Sequence, residues 1–295
     1  MVIALACELP AQRAEPLSRY SIADLTRLIS AHPDAPPISP SSIWRILDQH
    51  LLKPWQQQCW IFPRDAQFVE KAGRVLDLYA GCWEGEPLGP ADYVISADEK
   101  TSIQARRRCH PTTPPLPGQP MRVEHEYERG GALAYLAAWD VRRGGVIGRC
   151  EAKTGKVPFG RLVDQVMQQA PFRSARRVFW IVDNGSSHRG AKVARELRER
   201  YPNLILVHLP THASWLNQVE IYFSIIQRKV LTPNDFPDLA AVEARLLAFA
   251  TLYNDTARPF NWRLTRATLE ERLAHLRPVP LTIPATAEPT RQQVA

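Results

Sequence analysis

Two short, unbroken apolar runs constrain this chain more than any other feature. Val178-Phe-Trp-Ile-Val and Leu204-Ile-Leu-Val contain no polar residue, so each, as a strand, needs cover on both faces. Between them lies the charged, helix-patterned stretch Gly190 to Arg200. Upstream, Tyr93-Val-Ile-Ser-Ala reads as a first strand ending at Asp98. After a Pro-rich loop from Pro111 to Gly131, two further strands, Ala132 to Val141 and Gly145 to Cys150, flank a tight turn at Arg142-Arg-Gly-Gly. Helices are predicted over Pro158 to Gln169, Ser214 to Lys229 and Leu239 to Tyr253, the second with a core stripe of Leu216, Val219, Phe223, Ile226 and Val230. This order predicts an α/β fold with a mixed sheet and helices on its faces.

The N-terminal third has a different texture. Met1 to about Pro16 is Pro-flanked and polar and is expected to be poorly ordered. Ile22, Leu25, Leu28 and Ile29 form one face of a short helix capped by Ser21. A second short helix, Ser41 to Leu52, ends at Pro54 and exposes Ser42, Arg45, Gln49 and His50. Two such helices suit either a helix-turn-helix or an ordinary helical hairpin. Asp65 to about Tyr79 is amphipathic, and Gly81 to Pro90 carries boundary chemistry.

A 45% hydrophobic content excludes general disorder. The net charge of +7 is unevenly spread: residues 1–94 hold eight Lys/Arg against eleven Asp/Glu, so the basic excess lies wholly in the remainder. Its clusters are Arg106-Arg107-Arg108, Arg142-Arg143, Lys153 with Lys156, and Arg173/Arg176/Arg177. Such clusters form a solvated face or a polyanion-binding surface. Five scattered cysteines without a close pair suggest reduced thiols in the cytosol, and no apolar run reaches membrane-spanning length.

The chemistry-bearing residues are carboxylates at predicted strand ends. Asp98 sits in Ser-Ala-Asp-Glu-Lys and Asp183 in Val-Asp-Asn-Gly-Ser. Either could alone be a turn residue. Carboxylates brought together raise each other's pKa, and divalent cations relieve this; all-oxygen ligands in an open site suit Mg²⁺ or Mn²⁺. A pair of such ions serves phosphoryl transfer. Spacing leaves the third carboxylate open among Glu220, Glu196 and Glu243. Glu220 is the best candidate, because it lies in an otherwise uncharged stretch at the edge of a core stripe, and Asn217 would share its side of the helix.

The stretches Ser96-Ala-Asp-Glu-Lys-Thr-Ser-Ile-Gln-Ala-Arg, His125-Glu-Tyr-Glu-Arg-Gly-Gly, Val182-Asp-Asn-Gly-Ser-Ser-His and Leu209-Pro-Thr-His-Ala-Ser-Trp-Leu-Asn-Gln-Val-Glu, with Ile43-Trp-Arg-Ile-Leu and Tyr253-Asn, occur in the order found in one family. From Leu17 to Leu276 the chain resembles bacterial insertion-sequence transposases of the mariner-like superfamily, with a DDE endonuclease domain. The resemblance implies a ribonuclease-H-like five-stranded mixed sheet flanked by helices, preceded by a small helix-turn-helix-like domain. It implies Asp98, Asp183 and Glu220 as catalytic, metal-holding residues, with Mg²⁺ or Mn²⁺, in two ions, as cofactor. Asn184, His188, His212 and Asn217 become candidates for positioning substrate, and Trp215 for stacking on a base. Ser42, Arg45, Gln49, Arg106, Arg107, Arg108, Lys153 and Lys156 become candidates for DNA contact.

The implied activity is cleavage at the ends of a mobile element and attack of the freed 3′-hydroxyl on target DNA. The partners are double-stranded DNA (terminal inverted repeats and target) and a second copy of the chain on that DNA. The place of action is the bacterial cytoplasm, at the nucleoid. The alternative is a DNA-binding remnant that represses or competes without transposing. The expected organisation is an incomplete helix-turn-helix-like DNA-binding domain at 17–64, a linker helix and boundary at 65–91, the catalytic domain at 92–276 and a disordered tail at 277–295. Relatives carry two N-terminal helix-turn-helix units, and this chain shows the pattern of one.

Overall fold

The computed structural model describes residues 1–57, 63, 65–185 and 191–274, without the side chains of 191–193. The expectations for His188 and the 277–295 tail lie outside the described residues. The chain divides into two compact units, Met1–Phe62 and Pro63–Ala295. Among the described residues no helix is long and apolar enough to cross a membrane.

The first unit is helical: α1 (Val2–Ala6), a 3₁₀ turn at Pro10–Arg13, α2 (Ile22–Ser30) and α3 (Pro40–Gln49). Ser21 and Asp24 form a reciprocal cap on α2. Pro40, whose missing N–H costs nothing at a helix start, opens α3 behind the Ser39 cap. The expectation that the first sixteen residues lack order is wrong: Val2 and Leu5 are buried with Tyr20, Leu25, Ile29, Ile43 and Leu47 in one small core. Their apolar side chains find cover that a Pro-flanked polar sequence does not advertise.

The second unit begins with α4 (Phe68–Tyr79). This helix was expected within a 65–91 linker, but Phe68, Ala72, Val75, Leu76 and Leu78 are buried in the larger core of the second unit. A two-residue hairpin, β1 (Cys82–Trp83) and β2 (Glu86–Pro87), turns at Glu84 and Gly85, both at positive φ as a right-twisted hairpin requires. Then come β3 (Asp92–Arg107), β4 (Glu128–Asp140), β5 (Val146–Glu151), α5 (Lys156–Met167), β6 (Arg177–Val182), α6 (Ala191–Arg200), β7 (Leu204–His208), a 3₁₀ turn at Ser214–Leu216, α7 (Val219–Lys229), α8 (Leu239–Asn254) and α9 (Arg266–Ala274).

The main sheet runs β5-β4-β3-β6-β7, with β3, β5, β6 and β7 running in one direction and β4 antiparallel to them. The apolar runs behave as predicted. Phe179 and Ile181 enter the core shared with α4, α7 and α8, while Val178, Trp180 and Val182 enter the one shared with α5 and α6. The same period of two assigns Val94 to the first core and Tyr93, Ile95 and Ala97 to the second.

Two boundaries differ from expectation in ways that matter for the site. Strand β3 does not end at Asp98; it continues to Arg107, with a bulge between Lys100 and Ile103 and Ser102 at positive φ. The bulge shifts the side-chain alternation by one residue, so that odd-numbered Ile103 and Ala105 enter the core that Val94 occupies and not the one that Tyr93, Ile95 and Ala97 occupy. The helix expected from Ser214 is broken: after the 3₁₀ turn, Asn217 is extended (ψ 110°) and α7 starts at Val219.

Candidate active site

Side-chain alternation along β3 puts Val94, Ser96 and Asp98 on one face, toward α7. The parallel register pairs Ser96 with Ile181 on β6, and two residues further along are Asp98 and Asp183. The two carboxylates therefore leave neighbouring strands on the same face, with strands about 4.8 Å apart. Asp183 follows the last residue of β6, and its Oδ1 accepts the Gly185 N–H at 2.8 Å. Glu220 is exposed in the first turn of α7. At the edge of the core stripe, it stands toward solvent while sharing the electrostatic field of the two aspartates.

That field is visible in the ionisation of Asp98 and Glu220. Burial pushes the half-buried Asp98 carboxyl up to about 7; the Glu99 N–H, 2.7 Å from Oδ1, opposes this, and the charges of Asp183, Glu99 and Glu220 add to it. Burial also raises Glu220, Lys100 lowers it, and Asp183 raises it further. The donor set is entirely oxygen and short of positive charge, which fits a hard divalent cation such as Mg²⁺ or Mn²⁺. Among the described residues, no three Asp, Glu, His or Cys side chains close into a ready-made metal cage. Like charges hold such groups apart until a cation compensates them.

The other expected site residues fall into three groups. Asn217 is not on the helix beside Glu220. It lies in the extended link before it, 1% exposed, and bonds to β3: its amide nitrogen donates to the Ala97 carbonyl at 3.0 Å and to Asp98 Oδ2 at 3.3 Å. Asn184 is occupied too, donating to the Leu209 carbonyl and tying the end of β6 to that of β7. His212 and Trp215, by contrast, are exposed in the loop before α7. His212 is at positive φ, and Trp215 is not the core residue that an aromatic usually is.

The basic candidates also divide. Arg107 pairs with Glu128. Arg108 donates to the carbonyls of Glu124, His125, Glu126 and Asn234, which makes it a clasp for the β3–β4 loop. Arg106 lies over the Tyr127 ring at 4.6 Å. Lys153 and Lys156 are exposed around the start of α5. On α3, Ser42 bonds the Ser39 cap, Arg45 reaches back to Ser41 and Ser42, and Gln49 is exposed. Sequence reasoning missed Trp44 on that face, 48% exposed; a tryptophan one residue past buried Ile43 in a two-sided helix was the available signal.

Two residues missed at the site are Ser96 and Tyr79. The Ser96 hydroxyl is fully buried and bonds Asn217, and the Tyr79 hydroxyl donates to the Leu216 carbonyl at 2.7 Å. Ser96 was legible as the one polar residue in an apolar strand run.

Comparison with known proteins agrees with this fold. No curated protein matches the sequence. Among solved structures, the chain is similar to the pre-cleavage Mos1 transpososome (TM-score 0.52, 17% identity, 88% of this chain and 80% of that one). It is similar also to the Mos1 mariner paired-end complexes with Mn (0.50, 17%, 88% and 78%) and with Mg (0.50, 15%, 88% and 80%). At that identity the likeness establishes the shared ribonuclease-H-like fold. A family model described as DDE superfamily endonuclease matches residues 93–243, which span β3 to the first turns of α8 and contain Asp98, Asp183 and Glu220. The chain belongs to the DDE superfamily endonuclease family.

Proposed function

We propose that the chain is a DNA transposase that cuts at the ends of a mobile element and joins the freed 3′-hydroxyl to target DNA. The observation that carries this reading is the convergence of Asp98, Asp183 and Glu220 from two neighbouring parallel strands and the helix beside them. In this reading Asp98, Asp183 and Glu220 would together hold the divalent ions. Bound Mg²⁺ or Mn²⁺ supplies activation of an attacking hydroxyl and stabilisation of the departing 3′-oxygen. The protein's own contribution is to hold three carboxylates in place and to admit a phosphodiester beside them. Asp98, raised to about 7, would hold a cation in its deprotonated form. The exposed Trp215 and His212 border the same loop and contact the DNA strand; Lys153 and Lys156 take phosphates. Double-stranded DNA and a second copy of the chain are the partners. The similar solved structures, being transpososome and paired-end complexes, support this.

The test uses duplexes made from the DNA flanking this reading frame on either side. Nicking of these duplexes with Mg²⁺ or Mn²⁺, but not with Ca²⁺ or EDTA, is expected. Equal nicking by Asp98→Ala or Asp183→Ala would overturn the assignment.

A further inference from the structure

We propose that Asn217, reached from the α7 side, is the positioning residue that sets the orientation of the Asp98 carboxylate and locks its spacing to Glu220. This rests on the site read above and adds to it a residue that touches no substrate.

The hydrogen-bond directions are determined without ambiguity. The Ala97 carbonyl can only accept, so the Asn217 side-chain nitrogen faces it at 3.0 Å. The same nitrogen has a second proton, which goes to Asp98 Oδ2 at 3.3 Å. The Val219 N–H can only donate, and it donates to the Ser96 hydroxyl at 3.0 Å. The Ser96 proton is thereby left for the Asn217 side-chain oxygen. The result is one directed chain: Val219 N–H to Ser96, Ser96 to Asn217, Asn217 to Asp98.

Its two ends are the two halves of the site. Val219 is the first residue of α7 and Glu220 the second, while Asp98 belongs to β3. The Glu99 N–H engages Asp98 Oδ1, and Asn217 engages Oδ2. Each carboxylate oxygen, with two lone pairs, keeps one for a cation, which is what a shared ligand needs. Both Ser96 and Asn217 are buried, so water does not compete for the chain. Breaking α7 off the 3₁₀ turn at Asn217 is what brings its side chain to the sheet; on a continuous helix it would point elsewhere. Outer partners of ligating carboxylates typically change metal affinity 10–100-fold when removed.

The experiment titrates the full chain with MnCl₂, following free Mn²⁺ by its paramagnetic resonance signal, and in parallel measures nicking and gel-shift binding of the flanking duplexes. Asn217→Ala removes the brace. Asn217→Leu removes it while filling the volume, in case the alanine variant does not fold. Ser96→Ala disturbs the same buried pocket but leaves the Asp98 contact. The expected result is a rise of about tenfold in Mn²⁺ half-saturation for both Asn217 variants, under about threefold for Ser96→Ala, and duplex binding unchanged. Unchanged half-saturation in Asn217→Leu overturns the proposal. Loss of nicking at unchanged Mn²⁺ affinity overturns the brace and leaves the DNA-cutting reading standing. Weakened Mn²⁺ binding in a chain whose wild type nicks no duplex supports the brace and sinks that reading.

Discussion

Strand β3 carries two aspartates six residues apart, and they have opposite fates. Asp92, at the start of the strand, is fully buried, yet Arg176 and Arg177 both grip its carboxylate and the Gly89 N–H donates to it at 2.9 Å. The Arg176 hydrogen bond outweighs burial and holds the group far below the usual carboxylate range. Burial drives Asp98 up to about 7, and its charged neighbours, Asp183, Glu99 and Glu220, are acids that add to the rise. One carboxylate has been neutralised by the fold; the other has been left for something outside it. Both carboxyls are desolvated; the guanidiniums beside Asp92 and the acids beside Asp98 are what set the two apart.

Substitution is the strongest way to break that contrast, because the two positions respond in opposite senses. Asp98→Asn is expected to lower nicking by at least about 100-fold, above the range for outer partners of metal ligands. It should leave the metal-free melting temperature unchanged or raise it, since a crowded charge is removed. Asp92→Asn should unfold more easily by about 3 kcal/mol, because two guanidiniums lose their buried partner. Thermal melts and nicking rates on the same preparations check both. A destabilised Asp98→Asn chain would show that the crowding is absent in solution.

The pH dependence sharpens the contrast without mutation. Asp92 has a lowered folded pKa, so its stabilisation is present above the unfolded value of about 3.9 and is lost as pH falls through the folded one. Asp98 has a raised pKa, so the folded chain binds the extra proton between about 4 and 7, and its contribution is lost as pH rises across that window. Metal-free stability, from urea midpoints, should fall on both sides. Mg²⁺ should remove the loss on the neutral side only, and Asp98→Asn should flatten the same limb. Other groups titrate there too, so the difference between wild type and Asp98→Asn is the quantity to read.

These two aspartates also show what was legible beforehand. The buried strands were, because Val178–Val182 and Leu204–Val207 are apolar on both faces and no other element tolerates that. The first two carboxylates were, because each interrupts or closes an apolar run. Strand β3 was misjudged because Asp98-Glu99-Lys100 reads as a terminus; local charge masks a strand whose continuation is dictated by pairing with β4 as far as Glu128. Asn217 was placed on the wrong face because no residue between Ser214 and Val219 breaks helical periodicity. The break exists to satisfy Ser96 and Ala97, and those partners lie about 120 positions away in sequence. The order of the first residues was hidden for the same reason: Val2 and Leu5 are buried only in the company of α2 and α3.

The smallest effect concerns Lys100, two residues past Asp98, which is the cation that draws Glu220 down against burial and Asp183. Lys100→Met removes that charge and keeps the length of the side chain. Glu220 should then ionise at higher pH, and the acid limb of the nicking profile should move upward. The shift is small because Glu220 is exposed and water screens the pair. Raising the salt from 0.05 M to 0.5 M should shrink the difference between wild type and variant, as expected when the Debye length falls to a few ångströms. A shift that survives high salt would mean that Lys100 acts by contact with the DNA rather than through Glu220. A shift toward lower pH would place it outside the acidic field altogether. Either result would move Lys100 from the carboxylates' side of the comparison to the substrate's.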